Sequence, residues 1–142
     1  ELEVEERALA LAAGVVRRAE GEPARAIGRS RAHRELAHAA RVELAARFRE
    51  RLGLADLAAP LGVSVFHLCR VFKEEFGAPL HAFRRSLRVR AALRELFVPG
   101  RTLYDVAEAA GFSDRTQLHR AFRRTLGVSP SALRRRSTGR SS

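Results

Sequence analysis

Residues 103–127, LYDVAEAAGFSDRTQLHRAFRRTLG, decide the fold, because residues 54–77, LADLAAPLGVSVFHLCRVFKEEFG, repeat their pattern. Each copy has the pattern of a short helix, a glycine-containing turn and a longer helix, which is the helix-turn-helix arrangement. Gly62 and Gly111 supply the backbone freedom that such a turn requires. We therefore expect an all-α fold with two helix-turn-helix subdomains.

The two copies match at positions that have the same place in the pattern. The matched pairs are Leu54 with Leu103, Asp56 with Asp105, Leu57 with Val106, Ala58 with Ala107 and Gly62 with Gly111, followed, after one extra residue in the second copy, by Leu68 with Leu118, Arg70 with Arg120, Phe72 with Phe122, Lys73 with Arg123 and Gly77 with Gly127. The small Ala58 and Ala107 let the second helix cross close to the first. Duplicated helical hairpins also occur as plain scaffolds, so the repeat alone leaves that alternative open.

The longer helix of each copy, at about 64–76 and 114–126, has two different faces. Residues that recur every four positions are expected to face the core: Leu68, Phe72 and Phe76 in the first helix, and Leu118, Phe122 and Leu126 in the second. The outer faces, with their neighbours, are the candidate DNA-binding residues: Phe66, Cys69, Arg70 and Lys73, then Arg115, Thr116, Gln117, His119, Arg120 and Arg123. Arg binds guanine O6 and N7 together, Gln pairs with adenine, and Phe or a Thr methyl contacts the thymine methyl.

The charge of the chain favours a nucleic-acid partner. The net charge of +11 is carried almost wholly by Arg, with Lys73 the only lysine. Residues 1–22 are net negative at −3, so the rest of the chain carries +14, and the second outer face has no acid after Asp114. The planar arginine fork matches phosphate oxygens and the guanine edge. A GC-rich coding sequence also favours Arg over Lys, and both explanations stand together.

Four segments are predicted along the chain. In residues 1–22, Leu2, Leu9 and Val16 fall seven apart and indicate an N-terminal helix, either the remnant of a sensor or dimerisation domain or a helix that leans on its own domain. A linker at 23–32 follows. The double helix-turn-helix domain then covers 33–136. It has a first helix at His33–Leu52 and a helix at Leu80–Phe97 that links the two copies. A basic tail at 137–142 ends the chain. Since the chain contains no methionine, even at position 1, we expect it to be a fragment of a longer protein.

Several classes of protein are disfavoured by what the sequence lacks. It has no HExxH, no paired-cysteine spacing, no glycine-rich phosphate loop and no nucleophile elbow, so we expect neither catalysis, nor a metal site, nor a cofactor. Cys69 is the lone cysteine, which excludes an internal disulfide and fits the cytoplasm. No apolar run approaches the roughly 20 residues of a membrane span.

The sequence resembles the DNA-binding domain of the AraC/XylS family of bacterial transcription regulators over about 54–135. The resemblance rests on LAAPLGVSVFHLCRVFKEEFG, on RRSLRVRAAL and above all on DVAEAAGFSDRTQLHRAFRRTLGVSPSALRR. It implies two helix-turn-helix subdomains joined by one long helix, with both recognition helices in successive major-groove segments. It assigns base contact to Phe66, Cys69 and Arg70, and to Arg115, Thr116, Gln117 and Arg120. The sequence departs from the family pattern at Cys69, where a stronger hydrogen-bonding group is more usual, and at Leu118 and Leu126, where aromatics are common.

The predicted function is therefore a sequence-specific transcriptional regulator that binds promoter or operator double-stranded DNA. The alternative is the DNA-binding module of a DNA-repair or other enzyme whose catalytic part is missing. RNA polymerase is a second candidate partner, for which Glu74, Glu75, Glu95 and Glu108 offer a surface, and a second copy of the chain is a third, through the N-terminal helix or a missing domain. RNA is disfavoured because no aromatic stacking platform is evident.

Overall fold

The computed structural model describes residues 31–139, and every regular element in that range is a helix. The helices are α1 (Arg31–Arg47), α2 (Leu54–Ala58, continued by a 3₁₀ turn at Ala59–Leu61), α3 (Val65–Phe76), α4 (Leu80–Leu96), α5 (Leu103–Ala110), α6 (Arg115–Leu126) and α7 (Pro130–Thr138). The all-α fold is confirmed, with α2–α3 and α5–α6 as the two helix-turn-helix pairs and α4 as the linking helix. The predicted N-terminal helix, and the linker up to residue 30, lie outside the described residues.

These helices belong to two compact units, 31–84 and 85–139 in the described range, which divide within α4. In the first unit α1 packs on α3 through its buried residues, among them Leu44. The core stripe of α3 is confirmed, since Leu68 and Phe72 are fully buried and Phe76 nearly so. In the second unit Leu118 and Phe122 are buried as predicted, whereas Leu126 is only half-buried at the end of α6.

The turn of each pair is built by the same backbone hydrogen bonds. Gly62 and Gly111 adopt φ values of 71° and 90°, in the left-handed region that favours glycine. The N–H of the residue after each glycine donates to the matched alanine carbonyl, from Val63 to Ala58 at 3.4 Å and from Phe112 to Ala107 at 2.9 Å. These bonds form Schellman motifs that satisfy the last carbonyls of α2 and α5, which explains why the glycines and alanines match between the copies.

The matched aspartates begin the first helix of each pair. Asp56 accepts a hydrogen bond from the N–H of Gly53 at 2.9 Å, and Asp105 accepts one from the N–H of Thr102 at 3.0 Å. Thr102 Oγ1 in turn accepts from the Asp105 N–H at 3.1 Å, which completes a capping box. The backbone N–H of Thr102, its side chain and the Arg101 cation hold the pKa of Asp105 below its usual value, against a small raising effect of burial.

Replacement of Asp105 by Asn is expected to lower the melting temperature at pH 7 by a small amount, because the carboxylate is exposed and screened. A pKa that is lower in the folded than in the unfolded chain adds stability above the unfolded value, and that stability is lost as the pH falls through the folded value. The difference between variant and wild type should therefore shrink as the pH falls below the ordinary value of 3.8 and vanish only below the lower pKa of the folded chain. Thermal melts from pH 7 to pH 3 measure it, with Glu108→Gln, an exposed change on the same helix, as the control. A difference that persists unchanged at acid pH would contradict the capping role.

Helix α1 occupies 31–47 and not the predicted 33–52, because a side chain from α4 forms hydrogen bonds with backbone carbonyls that follow Arg47. Arg84 donates to the carbonyl of Leu52 and, at 2.8 Å, to that of Glu50, so these carbonyls are satisfied without a helix. At the other end, residues 31 and 32 of the predicted linker are helical. Burial lowers the pKa of Arg84, as expected for a guanidinium that is partly removed from water.

Helix α7 extends to Thr138, two residues past the predicted end of the domain at 136, so the predicted tail begins inside this helix. Ser137 is buried, and the Thr138 hydroxyl donates to the carbonyl of Arg135 at 3.1 Å. Arg134 anchors the helix, because its Nε and Nη2 both donate to the carbonyl of Leu96, at 3.2 and 2.9 Å. Arg84 and Arg134 thus each use the arginine fork on backbone carbonyls near a helix end.

Candidate nucleic-acid interface

The predicted outer face of α3 is exposed over most of its length. Phe66 is 80% exposed, an unusual state for a phenylalanine, and Arg70 and Lys73 are also exposed. Cys69 lies between them and is half-buried. Ser64 begins the helix by accepting a hydrogen bond from the His67 N–H at 3.1 Å, so the aromatic ring and the Arg70 side chain stand on its first two turns.

The predicted outer face of α6 is fully exposed. Its six candidate residues are Arg115, Thr116, Gln117, His119, Arg120 and Arg123. Asp114 caps the helix by accepting from the Gln117 N–H at 2.8 Å, whereas Leu118 and Phe122 face the core. An exposed cationic first half on a well-capped helix is the arrangement that a major-groove reading helix needs.

A groove of about 400 Å³ runs along the first half of α6 and the start of α7. Its lining brings together four residues predicted as contacts and four that were not: Arg115, Thr116, His119 and Arg120, with Leu103, Leu118, Pro130 and Ser131. Ser129 caps α7 by accepting from the Ala132 N–H at 3.1 Å, and Pro130 is its first residue, so the helix start faces the same groove. The sequence signal for this helix start is the Ser-Pro pair itself, a capping residue followed by Pro at the first helical position.

The charge is uneven between the two units. Residues 85–139 hold twelve arginines against four acids, whereas residues 31–84 hold nine basic residues against six acids. Burial lowers the pKa of Arg85, and the nearby cation of Arg124 on α6 lowers it further. Unbalanced guanidinium groups of this kind are stabilised by an anion such as phosphate.

Other arginines are engaged within the fold. Arg84 and Arg134 bind backbone carbonyls, Arg47 pairs with Glu50 at 3.0 Å and with Glu43 at 3.7 Å, and Arg101 pairs with Glu95 at 3.1 Å. None of these was predicted as a DNA contact. Of the candidate acidic surface for a protein partner, Glu75 is excluded, because it is 5% exposed and lies 3.4 Å from His38 Nε2.

The remaining features of residues 31–139 concern metal ligation and membrane insertion. No group of three or more His, Cys, Asp or Glu side chains in this range is arranged to hold a metal ion. None of these helices is by itself long and apolar enough to cross a membrane, and one pair bent by 88°, Leu54–Leu61 with Val65–Phe76, meets the length and composition of a span only when taken together.

Comparison with known proteins gives consistent matches to one kind of domain. The profile of a helix-turn-helix domain family matches residues 57–136. The chain is 35% identical over 89 residues to the HTH-type transcriptional activator AarP of Providencia stuartii, a match covering 63% of this chain and 66% of that protein. It is 38% identical over 88 residues to the HTH-type transcriptional regulator GlxA of Rhizobium meliloti, covering 62% and 26%. The chain thus spans less than two thirds of the length of these relatives.

Solved structures share the fold. The C-terminal domain of AraT, a response regulator from Geobacillus stearothermophilus, superposes with a TM-score of 0.66 at 27% identity, covering 71% of this chain and 84% of that one. A DNA-binding transcriptional dual regulator from Escherichia coli K-12 superposes with a TM-score of 0.60 at 19% identity, covering 71% and 96%. The second likeness concerns the fold alone.

Proposed function

Because the chain belongs to the AraC-type helix-turn-helix family of transcriptional regulators, we propose that it reads promoter or operator DNA with α3 and α6 in successive major-groove segments. The observation that carries the proposal is the outer face of α6, where every predicted contact is exposed and no acid occurs. A solvated helix face ordinarily mixes acids with bases, whereas phosphate binding requires a cationic one.

Within α6 the contacts divide by their chemistry. Arg115 and Arg120 present forks for a guanine edge, Gln117 presents an amide for adenine, and the Thr116 methyl suits a thymine methyl. His119 and Arg123 lie along the same face and serve the phosphate backbone, which fixes the register without reading sequence. The groove shared with the start of α7 places Ser131 beside these residues as a further polar contact.

Helix α3 offers fewer groups that discriminate between bases. Phe66 supplies apolar contact and Cys69 only a weak, half-buried donor, so Arg70 is its one strong hydrogen-bonding reader.

No catalytic step is proposed for the chain, and the proposed location of the protein is the cytoplasm, where bacterial DNA is found. Contacts with RNA polymerase and dimerisation remain predictions.

Arg120 provides the test of the reading face. Replacement of Arg120 by Ala is expected to weaken binding to the preferred site by about 1–3 kcal/mol and to relax the preference at one base pair. The melting temperature should not change, because the side chain is exposed. Selection from a random DNA pool identifies the preferred site, and anisotropy titrations on that site and on a scrambled one, at two salt concentrations, measure the effect.

Arg47→Ala is the matched control, because Arg47 lies on α1 and pairs with Glu43 and Glu50. It should leave both affinities unchanged. If affinity falls equally on every DNA, and the slope of log affinity against log salt concentration shrinks by about one unit, Arg120 contacts a phosphate and does not read a base. Unchanged affinity of the Arg120 variant for both DNAs would show that the reading face is wrongly assigned.

A further inference from the structure

His67 lies beside the outer face of α3, one turn before Arg70. Its Nδ1 is 3.2 Å from Nη2 of Arg70. Since a guanidinium only donates hydrogen bonds, Nδ1 is the acceptor in this contact, which requires the tautomer that carries its proton on Nε2. A ring nitrogen of His67 therefore fixes one end of the Arg70 fork, although the sequence analysis did not select His67 as a candidate.

His67 is itself held at two points. Its backbone N–H donates to the Ser64 cap at 3.1 Å. Its ring meets the ring of His33 of α1 edge to face, with the centroids 5.6 Å apart and the planes at 68°. Both rings are half-buried, whereas Arg70 is exposed. The imidazole is thus a comparatively rigid support under a long and otherwise flexible side chain.

We propose that His67 is a positioning residue, which holds the Arg70 guanidinium in place for base reading before the DNA arrives. The inference rests on the proposed function of α3. A free arginine loses rotamer freedom when its fork binds a base edge, and a group already ordered loses less. Two parallel hydrogen bonds to guanine also demand one orientation of the fork, which contact with a phosphate does not. The ordering should therefore increase discrimination between bases more than it increases general affinity.

Two substitutions of nearly equal shape isolate the acceptor. His67→Asn places an amide oxygen where Nδ1 stood, and His67→Leu keeps the branched shape without an acceptor. Both remove the ring contact with His33, so any effect of that loss is common to them. The base pair read by Arg70 is first identified as the one whose preference is lost in Arg70→Ala.

Anisotropy titrations then compare the preferred site with the site changed at that pair, alongside thermal melts of each variant. His67→Leu should reduce discrimination at that pair by about three- to tenfold, whereas His67→Asn should retain it. In the Arg70→Ala background, His67→Leu should have no further effect, because the residue acts only through Arg70.

Three results would overturn the inference. If His67→Leu discriminates as well as the wild type, the hydrogen bond has no role in reading. If His67→Asn loses as much as His67→Leu, the acceptor is not what matters. If His67→Leu lowers discrimination equally without Arg70, His67 contacts the DNA itself. A wild type that discriminates at no base pair would instead overturn the proposed function, and this inference with it.

Discussion

Replacement of Phe72 by alanine is expected to lower the free energy of unfolding by about 3–5 kcal/mol, the usual cost of truncating a fully buried phenylalanine. Phe72 is 0% exposed and lies between two other rings, with centroid distances of 4.7 Å to Phe76 and 5.8 Å to Phe83. Truncation removes both ring contacts and leaves a cavity. Since a small domain is stable by only about 5–15 kcal/mol, the loss is a large part of the total.

Phe66 provides a control on the same helix, six residues earlier. It is 80% exposed, so Phe66→Ala should change the free energy of unfolding by no more than about 0.5 kcal/mol, as surface substitutions usually do. The same change should weaken DNA binding if α3 lies in the groove. Urea unfolding followed by circular dichroism measures both variants. Similar destabilisation by the two would contradict the division of α3 into a core face and an outer face.

The affinity for DNA should fall about 10³- to 10⁵-fold between 50 and 200 mM salt, as expected for roughly six to ten phosphate contacts. Each contact releases counterions from the DNA, and the logarithm of the association constant should fall with the logarithm of the salt concentration with a slope of about −5 to −9. The exposed cations of α3 and α6, together with other arginines of 85–139, are the expected source of these contacts. Gel-shift or anisotropy titrations over this range measure the slope.

Two neutralised arginines make the test specific to the proposed surface. Arg123→Gln removes a charge from the outer face of α6, a helix that contains no acid, and should reduce the slope by about one unit. Arg47→Gln removes a charge that is paired with Glu43 and Glu50 and should leave the slope unchanged. A wild-type slope near zero would exclude DNA as the partner, and equal effects of the two variants would exclude α6 as the contact surface.

Local chemistry explains which parts of the fold could be predicted from the sequence. The turns at Gly62 and Gly111, and the capping residues Ser64 and Ser129, depend on a few neighbouring residues whose preferences are strong. The buried stripes of α3 and α6 follow from spacing alone, because a helix places every fourth residue on one face. For the outer faces, spacing predicted exposure, while the assignment of each residue to a base stays a prediction.

The features that could not be predicted depend on residues far apart in the chain. Helix α1 ends at Arg47 because Arg84, more than thirty residues later, takes the carbonyls of Glu50 and Leu52. Nothing in the sequence distinguishes Arg84 or Arg134 from arginines that face solvent. Glu75 has a charged side chain of the kind usually found at the surface, yet it lies buried against α1 near His38. The His67 bond to Arg70 is local, but a histidine three residues before an arginine is too common a pattern to signal it.

Helix α1 also determines where this DNA-binding domain can be separated from its own chain and fused to another protein. The family profile begins at residue 57, and the repeat begins at 54, so either would suggest a boundary after α1. A chimaera made there would remove Leu44 and its buried neighbours from α3 and expose Phe76, which contacts His38 and Arg41 of α1, leaving an apolar surface next to the fused partner. A transplanted module should therefore contain all of α1, from Arg31 onward.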